Sequence, residues 1–209
     1  MKFARVFLTL ILVVIFAGLV FGTDQEKKPA AKTAAKPAMD EKAAMAMMEK
    51  LATPSEGHKK LDMLVGTWHV KNTMWMDPSK PPMVSEGTSE HKWVLGGRFL
   101  EQRFEGTFMN MPFSGLGYTG YDNYKKKYVS VWMDSAGTSI LNTTGSFDAA
   151  GKVLTTTGKM DDFTTGKVMT VREKMTLAGK DEVLFEMYGP NPTGKEYRMM
   201  EIQYTRKGQ

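Results

Sequence analysis

Between about residues 60 and 207 the chain alternates apolar and polar positions in short runs, with no interruption of helical period. Period two is the signature of a strand with one face buried. The runs fall at about 67–76, 84–95, 98–108, 113–121, 127–134, 138–146, 152–159, 167–177, 182–188 and 195–206. Turn residues separate them: Asp77-Pro78 to Pro81-Pro82, Gly96-Gly97, Asn110 to Pro112, Asp122-Asn123, Ser135 to Gly137, and Asp148 to Gly151. Asp161 to Gly166, Ala178 to Asp181 and Gly189 to Gly194 complete the series. Gly, Pro, Asn and Asp supply the backbone geometry that tight reversals need. Sequential hairpins imply a meander, and a long meander removes its exposed edges by closing. The pattern predicts an all-β fold, an antiparallel up-and-down barrel of about ten strands.

The same alternation assigns side chains to the interior. Trp68, Val70, Asn72, Met74 and Met76 share one parity in the first strand, and Leu100, Gln102, Phe104 and Phe108 in the third. In the eighth and ninth, Met169, Val171, Glu173, Met175 and Leu177, then Val183, Phe185 and Met187, do the same. Met and Phe dominate these faces. They either pack together as a filled core or line a space that adapts to apolar guests, a use to which the flexible thioether is suited. Asn72, Gln102 and Glu173 are the polar exceptions. A polar group in an apolar interior is costly unless paired, so these three bond one another or orient a ligand. By resemblance to intracellular fatty-acid carriers, Arg98, Arg103, Arg172 and Arg198 are the candidate partners for a ligand carboxylate. Arg103 and Arg172 have outward parity unless a bulge reverses it. The candidate ligand-binding set is therefore Asn72, Met74, Gln102, Phe104, Met169, Glu173, Phe185 and Arg198.

The ends of the chain read differently. Lys2 and Arg5 precede an apolar run from Val6 to Phe21, and Thr23-Asp24-Gln25 follows Gly22, as in a secretory signal peptide over residues 1–22. The alternative is an uncleaved anchor, for which the run is short of the roughly 20 residues that span a bilayer. With the signal cleaved, no stable membrane anchor is expected. Residues 23–54 form an Ala/Lys/Met-rich linker punctuated by Pro29, Pro37 and Pro54, with a short helix over Met39 to Leu51. Met45, Met48 and Leu51 there share a helical face. Thioethers also suit Cu(I), but the spacing is that of a helix face rather than a metal motif. Residues 55–209 form the barrel domain, opened by a short helix from Ser55 to Leu64 with Ser55 as N-cap and His58 at the capping-box position.

Composition narrows the chemistry. The net charge of +5 falls to about +3 without Lys2 and Arg5, and the lysines are dispersed over turns and tail. A nucleic-acid partner is not expected. There is no cysteine, so neither a disulfide framework nor thiol chemistry is available. His58, His69 and His91 form no metal-ligating pattern, and no metal or cofactor is expected. Gly-rich phosphate loops and the Gly-x-Ser-x-Gly elbow are absent. No catalytic residue is assigned. Asp122, better explained by turn chemistry, and Glu173 are the carboxylates that a barrel-mouth general base would use.

Gly66-Thr67-Trp68 at the start of the first strand resembles the Gly-x-Trp of lipocalins and their calycin relatives. That likeness implies a structural role for Gly66 and Trp68, with a late basic side chain, Arg198 or Arg206, over the indole. From about Leu61 to Lys207 the chain also resembles the bacterial family of unknown function 1579. The matching segments are Leu64-Val65-Gly66-Thr67-Trp68, Trp75-Met76-Asp77-Pro78, Leu95-Gly96-Gly97-Arg98-Phe99-Leu100 and Met111-Pro112-Phe113-Ser114-Gly115-Leu116-Gly117. Thr119-Gly120-Tyr121-Asp122-Asn123, Phe185-Glu186-Met187-Tyr188 and Met200-Glu201-Ile202 extend the match. The resemblance implies fold and boundaries and supplies no catalytic residues. Three readings follow. The first is an exported barrel, periplasmic or extracellular, that binds a small apolar or amphipathic molecule. The second is a filled barrel acting as an envelope interaction scaffold, and the third an enzyme with a barrel-mouth carboxylate.

Overall fold

The computed structural model describes residues 40–162 and 165–208; the signal-like segment and most of the linker lie outside them. Ten strands form one closed antiparallel barrel. They are β1 Gly66–Met74, β2 Met83–Val94, β3 Phe99–Phe108, β4 Met111–Asp122, β5 Lys127–Asp134, β6 Leu141–Phe147, β7 Val153–Asp162, β8 Lys167–Leu177, β9 Glu182–Pro190 and β10 Glu196–Arg206. Each strand pairs with its sequence neighbours, and β1 closes on β10 through Trp68↔Arg206 to Met74↔Met200. The first strand ends at Met74, two residues earlier than the alternation predicts. Met76 therefore lies in the β1–β2 loop, 53% exposed, and not on the inner face.

Helix α1 spans Glu41–Ala52, capped by Asp40, whose Oδ1 accepts the Ala43 N–H at 2.8 Å. Helix α2 (Glu56–Lys59) and a 3-10 turn (Asp62–Leu64) follow. At α2 the predicted reciprocal cap forms: the Ser55 N–H donates to His58 Nδ1 at 3.0 Å. No helix among the described residues is long and apolar enough to cross a membrane.

These short elements stop one end of the barrel. Leu61 and Leu64 are fully buried and pack with Trp68, Val70, Leu100, Tyr128, Leu154, Val183 and Tyr204 in a continuous core. Burial of each such aliphatic or aromatic side chain contributes about 1.5–3 kcal/mol. Hydrogen bonds fix the plug: Trp68 Nε1 to Leu64 O, Trp93 Nε1 to Asp62 Oδ1, both 2.8 Å, and Tyr128 OH to Gly57 O, 2.9 Å. Arg206, and not Arg198, covers Trp68, its guanidinium 4.1 Å from the ring centre. Its forked N–H groups also donate to Val65 O and Met63 O at 2.7 and 2.6 Å. Gly66 is required at this crossing. Its φ is +125°, and a Cβ there would lie 2.7 Å from Arg206 Nη1.

Candidate functional site

Strand polarity divides the interior into two halves. Near the plug, Trp68, Val70, Leu100, Leu154 and Val183 are buried and Trp93, Tyr121, Phe147 and Leu177 half-buried, whereas inward residues toward the other end (Met74, Phe108, Phe113, Trp132, Met160, Met169, Met187, Met200) are all partly exposed. These half-exposed side chains make the end away from the plug the less densely covered one. Exposed apolar residues surround its loops as well, among them Val84, Met109, Met111, Ile140 and Val168.

The wall of this open half has two chemistries. From β8 through β10 and β1 to β2 it is thioether-rich, because Met187↔Met200, Met200↔Met74 and Met74↔Met83 are cross-strand partners. From β4 to β7 it carries hydroxyls instead. Thr119, Ser130 and Thr143 are successive cross-strand partners, and Thr156 faces Glu173 on β8. Thr119 Oγ1 donates to Ser130 Oγ at 3.2 Å. Trp132 reaches the mouth because Gly115 and Gly117 leave room for its indole; a Cβ on Gly115 would overlap the six-membered ring.

Glu173 stands where the two walls meet. Thr156 Oγ1 and Thr143 Oγ1 donate to its Oε2 at 2.7 and 3.0 Å. Burial pushes its carboxyl above the usual range, and the two hydroxyl bonds offset part of that shift. Deeper in, Gln102 spans the barrel. Its Nε2 donates to Ser89 Oγ at 3.1 Å and to Tyr204 OH at 3.2 Å, while Ser89 Oγ bonds His91 Nε2 at 2.8 Å. Burial pushes Tyr204 up to about 12. Burial and then Arg206 bring His91 down to about 4, so its imidazole is neutral. This layer floors the open half above the Trp68 core. Among the described residues two buried acceptor-capable side-chain atoms have no protein partner: Asn72 Oδ1 and His91 Nδ1.

Of the residues singled out from sequence, Asn72, Met74, Gln102, Phe104, Met169, Glu173 and Phe185 occupy inward register positions. Phe104 and Phe185 belong to the packed layer and its border. Arg198 does not join them. A bulge between Arg198 and Met200 reverses the parity of β10, so Arg198 pairs with Tyr188 on the outer face. There its guanidinium bonds Glu186 Oε1 at 3.1 Å, pairs with Glu201 and lies 5.0 Å over Trp75. Met199 takes the inward place, its sulfur filling the space a Cβ at Gly189 would need. Arg103 pairs with Glu101, and Arg172 with Glu196, both outside the barrel; Arg98 bonds Leu95 O in the β2–β3 turn. Asp122 accepts the Lys125 and Tyr124 N–H groups at 2.9 Å, which hold its carboxyl below the usual range and explain it as a turn residue. Among the described residues no group of three or more His, Asp or Glu side chains could hold a metal. Thr143, Thr156, Ser89 and Tyr204 were not singled out from sequence. The first two lie on Thr/Gly-rich strands without hydrophobic contrast, where parity had to come from the pairing.

The family model described as protein of unknown function, DUF1579, matches residues 53–206. The chain belongs to that family. No curated protein matches the sequence. Among solved structures, Rv2717c from M. tuberculosis superimposes with a TM-score of 0.56 at 14% identity, covering 75% of this chain and 100% of that one. The S-type phycobiliprotein lyase CPES from Guillardia theta gives a TM-score of 0.49 at 10% identity, covering 75% and 99%. At these identities the first likeness establishes the lipocalin-like barrel fold alone, and the second carries no argument.

Proposed function

We propose that this chain is an exported barrel that binds one small apolar or amphipathic molecule through the open half of its interior. The observation that carries the reading is the asymmetry of the barrel. One end is sealed by Leu61, Leu64 and Arg206 over a packed core, while the other presents partly exposed Met, Phe and Trp side chains above a polar floor. Pockets lined mostly by apolar side chains with a few placed polar groups are the usual form of small-molecule sites. Affinity would come from burying the guest against thioethers and rings, at about 25 cal/mol per Å² of apolar surface. Export rests on the signal-like residues 1–22, and the compartment would be periplasm or medium. Native mass spectrometry of protein purified from its own host without detergent tests the reading. A reproducible adduct of small-molecule mass, lost on denaturation, is expected. A clean apo mass, together with failure of added amphiphiles to bind, would refute it in favour of a filled scaffold.

A further inference from the structure

Resting on that reading, we infer that the polar end of the ligand is a hydrogen-bond donor, an ammonium or hydroxyl group held by Glu173, and that the site disfavours carboxylates such as fatty acids. Among the described residues Glu173 is the only carboxylate along the inner wall away from the rim, where Asp134 and Asp162 have inward register. Its two hydroxyl donors both address Oε2, and no described residue donates to Oε1. Asn72 Oδ1, three strands round the wall, is a second inward acceptor without a partner.

Among the described residues no cation balances them. Arg103, Arg172 and Arg198 are engaged outside the barrel with Glu101, Glu196 and Glu186. Arg206 is spent on the plug, and His91 is packed between Trp68 and Tyr204, 6.4 and 6.0 Å away. Lys167 is the one lysine with inward register among the described residues, and it lies exposed in the last pair of β7 and β8, at the rim. A guest carboxylate entering the barrel would thus meet a buried acid and no counter-charge, an arrangement that costs free energy. A guest ammonium or hydroxyl supplies what the site lacks, since a carboxylate oxygen paired with a donor makes a stronger bond than a neutral pair. Thr143, which bonds Glu173, and its cross-strand partner Ser130 offer further polar atoms to the same end of the guest.

The test is calorimetric titration of the full chain at pH 7.5 with dodecylamine, dodecanol and dodecanoate, each below its micelle concentration. The amine is expected to bind tightest and dodecanoate weakest. Glu173→Gln should weaken the amine by about tenfold or more while changing dodecanol less. Glu90→Gln, on the outer face of β2, should leave all three unchanged and so exclude nonspecific attraction. Dodecanoate binding as tightly as the amine, or an amine affinity indifferent to Glu173→Gln, would overturn the inference and leave the binding reading standing. Failure of all three to bind would overturn both.

Discussion

Arg206→Met should be among the most damaging substitutions on this surface, because one side chain joins the plug to the barrel. Methionine keeps an apolar stem of similar length over Trp68 but removes the guanidinium. Four losses follow, the least of them the exposed bonds to Lys180 O at 3.0 and 3.2 Å. The charged donors to Val65 O and Met63 O, at 2.7 and 2.6 Å, disappear; bonds from charged groups contribute about 1.5–3 kcal/mol each, toward the lower end here because the carbonyls can regain water. The cation–π contact at 4.1 Å adds about 0.5–2 kcal/mol. The pair with Asp181 is largely exposed and adds little. Together these predict a destabilisation of roughly 3–5 kcal/mol, or a fall in Tm of about 10 °C for a domain of this size. Arg206→Lys should recover less than half, since an ammonium cannot reach both carbonyls and lie flat on the indole. Urea unfolding followed by Trp fluorescence measures both variants. A loss below about 1 kcal/mol for Arg206→Met, or a lysine variant equal to wild type, would refute the role assigned to the fork.

Other consequences are equally checkable. Asn123 is buried, donates to Leu51 O and Thr53 O at 2.9 and 2.8 Å, and accepts from Ser55 Oγ at 2.7 Å; Asn123→Ala should cost about 2–4 kcal/mol and speed proteolysis near Thr53. His91 is held near pH 4 in the folded state against an ordinary 6.5. The unfolded chain therefore takes up a proton first as pH falls, and stability present above pH 6.5 is lost on the way to pH 4. The difference between wild type and His91→Gln should change by about 3 kcal/mol across that window, and a constant difference in urea titrations would contradict it. Glu173 has the opposite sign. Its folded carboxyl is raised by burial, so the stability it contributes is full below pH 4.5 and declines as pH rises through the folded value. Glu173→Gln should match or exceed wild-type stability at pH 7 and lose that advantage in acid, by the same titration.

Much of this was legible in the alternation itself. All nine turn segments set the strand limits to within a few residues, because Gly, Pro, Asn and Asp at reversals act locally. Glu173 and Gln102 were placed inward by period two alone. Arg198, named as a carboxylate partner, faces outward for a physical reason: one bulged residue, Met199, shifts the register of β10. A bulge leaves no mark in the hydrophobic pattern when the inserted residue is itself apolar. Asn123 shows the other limit. Its turn position was clear, but its bonds to Leu51 and Thr53 lie about 70 residues away in sequence and arise only when the plug docks. Thr143 and Thr156 became meaningful only through their pairing across β6, β7 and β8.

The central claim is that the methionine-lined half of the barrel is an accessible binding space. It is tested most directly by titrating the neutral dye N-phenyl-1-naphthylamine into wild type and into Met200→Trp, which fills the space beside Met187 and Met74. Saturable one-to-one enhancement in wild type, abolished in a Met200→Trp variant that remains folded, is the predicted result. No enhancement in wild type, or equal enhancement in both, would contradict the account.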